Sequence, residues 1–185
     1  MKIEETGLEG CILIHDTLFK DERGYFAELY NDKRFEHATG LKITFVQDNI
    51  SHSKKRVLRG IHFQIGEAAQ AKWVRVLHGR VLDVAVDLRN KSSTFGQYYS
   101  TELSSEANTS LFIPRGFGHA FVVLSDTALF FYKCDNHYNK EAETGIIYND
   151  RDLSINWKLP VDELRVSQKD KELPTFSDYH KLNGI

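Results

Sequence analysis

Apolar and polar residues alternate with a period of two along much of this chain, which predicts strands rather than helices. The clearest case is the pair of runs 72–77 (KWVRVL) and 80–88 (RVLDVAVDL), joined through His78 and Gly79. Two alternating runs around a Gly-containing turn predict a β-hairpin. On the second arm Val81, Asp83, Ala85 and Asp87 share one face, and Leu82, Val84, Val86 and Leu88 share the other. Further strands are predicted from CILI in 7–18, from YFAELY in 25–30, and from 42–49, 95–103, 111–114, 120–124 and 128–133. The breaks carry Gly, Ser, Asn or Asp, as turns require. Helical signals are few. Asn31 is a cap for a short helix through Phe35 that stops at Gly40, residues 162–167 suit another, and Pro174 ends regular structure. Strands at this spacing predict an all-β sandwich or barrel of antiparallel strands. With no repeat, linker or low-complexity tract, residues 1–185 read as a single domain.

Composition removes several function classes. The chain has 24 Lys and Arg against 26 Asp and Glu, with no run of like sign. Neither nucleic acid nor an anionic membrane is called for as a partner, while single cations among aromatic residues suit a small anionic ligand. Cys11 and Cys134 lie far apart, without disulfide-framework or metal-site spacing, and read as reduced thiols of a cytoplasmic protein. The acidic opening MKIEETGLEG is not a signal peptide, and no apolar run is long enough to cross a bilayer.

The candidate chemistry centres on residues 57–64, VLRGIHFQ. In an extended strand Ile61 and Phe63 point one way, while Gly60, His62 and Gln64 point the other. Arg59 sets a fixed cation near a titratable base. Alone, such a His is more often a core or surface histidine; its company changes that reading. Residues 113–119, IPRGFGH, contain P-x-G-x-x-H. With the earlier G-x-H, this resembles the two motifs of the cupin superfamily, which implies an antiparallel jelly-roll barrel with a few short helices. Metal-binding cupins carry H-x-H in the first motif. Here Gln64 replaces the second His, and an amide oxygen is a poor substitute for imidazole on a transition metal. A metal-free cupin with no cofactor is the resulting expectation.

A finer resemblance covers about residues 21–170. QDNISHSKKRVLRGIHFQ, KWVRVLHGRVLDVAVDLR, TFGQYYSTELS, IPRGFGHAFVVLSD, YKCDNHYNKEAETGIIYND and VSQKD are, in that order, similar to the dTDP-4-dehydrorhamnose 3,5-epimerase family. That resemblance implies epimerisation beside the ketone of a dTDP-4-keto-6-deoxyhexose. His62 matches the family's base, and a reference pKa of about 6.5 suits an imidazole to that task. Lys72 matches the cation at the developing enolate oxygen, normally the largest catalytic contribution. Tyr132 matches the acid on the opposite face, and Asp170 matches the carboxylate that orients His62. For the ligand, Arg23, Arg59 and Lys169 match the cations at the pyrophosphate. Phe26, Glu28, Gln47, Asp48 and Asn49 lie on runs matching the pocket lining. Tyr138 matches the aromatic stacked on the base, and His119 and Glu143 match further ligand contacts. Asp83 shares the face that enters the pocket. The family also implies a homodimer in which N-terminal strands extend the partner's sheet.

Taken singly, each residue has a plainer reading. Tyr132 follows Phe130 and Phe131 as core would, Asp170 sits in a charged stretch, and Lys72 opens a strand. Tyr148 in place of the usual Trp, GFGHAF in place of GFAHGF, and His137 before Tyr138 depart from the family pattern without touching the proposed base, acid or cation. The rival readings are an epimerase of carbon 3 alone or of another 4-keto sugar nucleotide, a ketoisomerase, a metal-dependent cupin such as a dioxygenase, and a non-catalytic sugar-nucleotide-binding cupin.

Overall fold

A computed structural model describes residues 1–182. The chain begins with β1 (Lys2–Glu5), β2 (Ile12–His15), β3 (Leu18–Asp21), β4 (Gly24–Ala27) and α1 (Asp32–Thr39). The central strands are β5 (Gln47–Lys54), β6 (Leu58–Gln64), β7 (Lys72–His78), β8 (Arg80–Asp87) and β9 (Tyr98–Ser104). Then come β10 (Thr109–Ile113), β11 (Phe117–Val123), β12 (Thr127–Cys134) and β13 (Glu143–Gly145), followed by α2 (Gln168–Lys171) and α3 (Phe176–Leu182).

Two antiparallel sheets face each other. One has the order β1-β2-β10-β7-β12-β5, the other β13-β6-β11-β8-β9, and β3 and β4 form a separate two-stranded ribbon. From β5 onward each strand crosses to the opposite sheet, except that β8 turns back to pair with β9. This is the antiparallel jelly-roll barrel that the alternation and the cupin motifs predict.

The predicted hairpin between 72–77 and 80–88 does not form. β7 pairs with β10 and β12, whereas β8 pairs with β11 and β9 in the facing sheet. The link at Gly79 is a corner between sheets. Gly79 has φ of 81°, and a Cβ there would lie 2.1 Å from the Thr127 carbonyl oxygen. Ser125 Oγ accepts the Arg80 N–H at 2.8 Å, so the turn after β11 packs against the corner and directs the chain across. The face assignments on β8 do hold. Val81 and Ala85 join Val74, Val76, Leu111, Phe121 and Phe130 in the core between the sheets. Leu82, Val84 and Val86 join Leu58, Ile61 and Val122 in a second core, roofed by Ile146, Leu153 and Trp157. A third core packs Trp73, Ile14 and Phe112 beneath Phe35 of α1.

The Asn31 side chain accepts the Arg34 N–H, and Gly40 closes α1 with φ of 72°, as predicted. Three boundaries differ. The strand expected over 42–49 begins only at Gln47. Residues 162–167 contribute only a single 3-10 turn (Val161–Glu163), and the helical turn comes later, where Ser167 caps α2 by accepting the Asp170 N–H. Regular structure also resumes after Pro174 as α3, since a proline breaks only a helix that would run through it. Gly79→Ala is expected to cost about 3 kcal/mol, combining a left-handed backbone with overpacking at the corner. Thermal or urea denaturation measures it, and a change under about 1 kcal/mol would show that the corner tolerates a side chain.

Candidate active site

A cavity of about 290 Å³ opens between the two sheets. The five-stranded sheet contributes Arg59, His62 and Gln64 from β6, His119 from β11 and Glu143 from β13; the six-stranded sheet contributes Ser51, Lys72 and Tyr132. His62 and Tyr132 therefore reach the same space from opposite walls.

Local irregularity in β6 shapes the first wall. His119 of β11 stands opposite His62, but Phe121 stands opposite Arg59, so three steps on β6 match two on β11. This bulge turns Arg59 onto the face of His62, which a regular strand would not allow. It falls at Gly60, whose φ is 126° and where a Cβ would lie 2.4 Å from Ala120 Cβ. The bulge also leaves the Gly60 N–H facing Asp170 Oδ2 at 3.3 Å.

Asp170 occupies α2 and is 4 % exposed. Its Oδ1 lies 2.8 Å from His62 Nε2. Burial works against its charge, yet the hydrogen bond and charge of His62, with the Gly60 N–H and Ser167, hold its pKa below the ordinary carboxylate value. An ionised Asp170 accepts a proton carried on Nε2, leaving His62 Nδ1 as the basic atom. On the facing wall, burial raises the Tyr132 phenol, with Cys134 and Glu143 adding to the effect and Arg59 opposing it. Between them the Lys72 ammonium donates to the His62 carbonyl oxygen at 3.4 Å. Burial lowers its pKa, against the influence of Cys134, Asp83 and Glu143. His119 Nε2 meets Asp83 Oδ2 at 3.0 Å.

The cavity mouth has its own network. Glu143 Oε2 accepts from the Tyr138 hydroxyl at 2.9 Å and from the Lys169 ammonium. Gln47 accepts the Tyr138 N–H at 2.9 Å and donates to Asn49, which donates to Cys134 Sγ. Gln64 is committed to the loop: its Oε1 accepts the Asn139 N–H at 2.6 Å and its Nε2 donates to the Ala68 carbonyl at 2.8 Å. Among the described residues no three His, Cys, Asp or Glu side chains cluster as metal ligands would. Both cysteines are free and buried, their thiols pushed up to about 12 at Cys11 and about 11 at Cys134.

Four expected lining residues lie elsewhere. Asp48 points to the outer face of β5 and pairs with Lys133 at 2.6 Å. Three consecutive strand residues cannot share a face, so Gln47 and Asn49 exclude the residue between them. Arg23 pairs with Asp21 on the ribbon with its side chain 84 % exposed, and Phe26 is 68 % exposed. Glu28 is held by Arg34 at 2.9 Å and by Asn31 at 3.2 Å. None of these three lines this chain's cavity. The sequence reading missed Ser51 and Gln70. Ser51 had a signal, since it continues the face of Gln47 and Asn49; Gln70, outside any strand, had none.

A family model for dTDP-4-dehydrorhamnose 3,5-epimerase matches residues 5–178. The chain is 44 % identical over 185 residues to the dTDP-4-dehydrorhamnose 3,5-epimerase of Escherichia coli K12, covering 100 % of both chains. It is similar to the crystal structure of that enzyme from Elizabethkingia anophelis NUHP1, with TM-score 0.93 and 57 % identity over 96 % of this chain and 97 % of that one. It is also similar to a dTDP-6-deoxy-D-glucose-3,5-epimerase from Legionella pneumophila Philadelphia 1 in complex with dTDP-4-keto-L-rhamnose. That match has TM-score 0.91 and 43 % identity, covering 95 % and 93 % of the two chains. No helix among the described residues is long and apolar enough to cross a membrane.

Asp170→Asn is expected to lower the melting temperature at neutral pH. A carboxylate whose pKa falls on folding stabilises above its unfolded value of about 3.9 and loses that contribution as pH falls through the folded value. The gap between variant and wild type therefore narrows below about pH 4 in thermal melts. A gap independent of pH would show that Asp170 is not the ionised partner of His62.

Proposed function

The chain belongs to the dTDP-4-dehydrorhamnose 3,5-epimerase family of isomerases, and we propose that it inverts carbons 3 and 5 of dTDP-4-dehydro-6-deoxy-D-glucose, giving dTDP-4-dehydro-L-rhamnose. The observation that carries the proposed chemistry is the Asp170–His62 pair on one wall of the cavity with Tyr132 on the other. His62 Nδ1 takes the proton from the carbon beside the ketone. The electron pair left behind moves onto the carbonyl oxygen, and the resulting enolate is held by the Lys72 ammonium. Tyr132 then delivers a proton to the opposite face of the same carbon, and the enolate electrons return to form the new C–H bond. Asp170 stabilises the imidazolium that His62 becomes, and Arg59 stabilises the phenolate left on Tyr132. Exchange of both groups with solvent resets them for the second carbon. No metal or cofactor enters this scheme.

The nucleotide end follows from the mouth network. Tyr138 stacks on thymine, Gln47 and Asn49 line the approach, and Arg59 and Lys169 meet the pyrophosphate. His119 and Glu143 complete the ligand contacts. Arg23, Phe26 and Glu28 act in a homodimer. The β3–β4 ribbon exposes Phe19, Tyr25 and Phe26 at 54 %, 66 % and 68 %, a surface that suits insertion against a second copy. There the ribbon extends the partner's sheet and brings these three residues to the partner's cavity. We read the chain as one cytoplasmic domain.

Incubation with dTDP-4-keto-6-deoxyglucose in heavy water tests the reaction by NMR. Deuterium is expected at both carbon 3 and carbon 5; deuterium at carbon 3 alone would make the protein a single epimerase, and none at either would refute the enzymatic reading. His62→Ala and Tyr132→Phe are expected to lower kcat by about 10²–10⁴-fold while dTDP binding persists. Sedimentation is expected to give a dimer, and Arg23→Ala to raise KM about tenfold through loss of a charged hydrogen bond. A fully active monomer would exclude the shared site.

A further inference from the structure

The cavity holds a second carboxylate–imidazole pair that the proton transfers do not use. Asp83 is completely buried on β8, on the face it shares with Val81 and Ala85. Its Oδ2 meets His119 Nε2 at 3.0 Å, and its Oδ1 is buried with no hydrogen-bond partner among the described residues. Buried polar atoms are nearly always paired, so a bare carboxylate oxygen in an apolar barrel needs a compensating charge nearby.

Lys72 is the cation in that space, and the groups around it are in different states of commitment. On β12 the Tyr132 phenol and the Cys134 thiol are both raised by burial, Cys134 to about 11, so near neutral pH neither carries charge. On β11 burial lowers His119, with Lys72 and His62 adding to that and Asp83 opposing it without prevailing, so His119 is neutral. On β6 His62 is committed to Asp170, whose second oxygen takes the Gly60 N–H. On β13 Glu143 is committed to Lys169 and Tyr138. That leaves Asp83 with an acidic oxygen not assigned elsewhere, and it acts on Lys72 in the direction that preserves the ammonium.

We propose that Asp83 is a positioning residue for the epimerisation: it fixes His119 as a neutral imidazole protonated on Nε2, and its carboxylate is the counter-charge that keeps Lys72 an ammonium inside the barrel. The proposal rests on reading Lys72 as the cation that meets the enolate oxygen. It assigns the cavity's two imidazoles different tasks. His62 changes charge in each proton transfer, and His119 stays neutral beside it, so the proton taken from the sugar has one destination.

Asp83→Asn removes the charge while keeping the side chain's shape. Lys72 then loses its proton at lower pH, and the alkaline limb of kcat moves toward neutrality. Each unit of that movement lowers kcat about tenfold at the alkaline end, with little change near pH 6.5 and little change in KM. A purely structural role would lower kcat by the same factor at every pH. The charge states are read without substrate, by NMR of protein labelled with ¹³C at the aspartate carboxyls and lysine Cε. In the unmodified protein Asp83 is expected to be ionised from pH 6 to 9, and in the variant Lys72 is expected to titrate at lower pH. An Asp83 protonated across that range in the unmodified protein overturns the proposal, whether or not the variant folds. So does a Lys72 titration that the variant leaves in place. If the unmodified protein shows no deuterium exchange into the sugar, the reaction assignment fails, and the two titrations still decide the counter-charge.

Discussion

The carboxylate of Asp170 holds β6 at two points, His62 Nε2 at 2.8 Å and the Gly60 N–H at 3.3 Å, and the candidate site depends on that grip. Those contacts span 108 and 110 residues of sequence. They form only because the tail after β13 returns across the outside of the five-stranded sheet. Ile146, Leu153 and Trp157 roof the second core there, with Val166 packed against it. Ser167 then caps a single helical turn that delivers Asp170 through the edge of the roof. The apolar burial supplies the driving force, and the polar pair at its end supplies direction. The bulge at Gly60 serves both ends of the arrangement, presenting the N–H to Asp170 and turning Arg59 toward the cavity.

The cavity is electrostatically varied for so small a space. Lys72 and Arg59 stand near Asp83, Asp170 and Glu143, with two imidazoles and a phenol among them. Burial pushes each ionisable group toward its neutral form, so each one that stays charged needs a specific partner. Asp170 has His62, and Glu143 has Lys169. Gln64 shows how far the barrel has moved from metal chemistry: its amide is committed to the Asn139 N–H and the Ala68 carbonyl, and it anchors the loop that carries Tyr138.

The strands were legible where a side-chain period of two meets burial. Val81 to Leu88 shows two clean faces, and the structure buries both, one in each core. The same pattern says which face a residue occupies but not which strand lies beside it. For that reason 72–77 and 80–88 looked like partners although Gly79 sends them into different sheets. Asp48 was assigned to the pocket with its neighbours, and strict alternation alone would have excluded it. Arg59 was expected near His62 as a cation, but its place on the same wall came from a bulge that no spacing rule signals. Pro174 looked like a terminator because a proline's effect depends on whether a helix precedes or follows it.

The linear order of residues was enough to identify the barrel class, the inward face of each long strand, the cap and stop of α1, and the set of groups suited to proton transfer. These follow from local rules, in which side-chain direction is set by the backbone within a few residues. Distances between strands far apart in sequence are not local. Only the folded chain brings Asp170 to His62, sets His119 opposite His62 across the β6–β11 pair, and buries Asp83 against His119. It also carries Arg23, Phe26 and Glu28 away from this chain's own cavity. Sheet register and the docking of the tail decide those neighbours, and both are settled by burying three apolar cores at once.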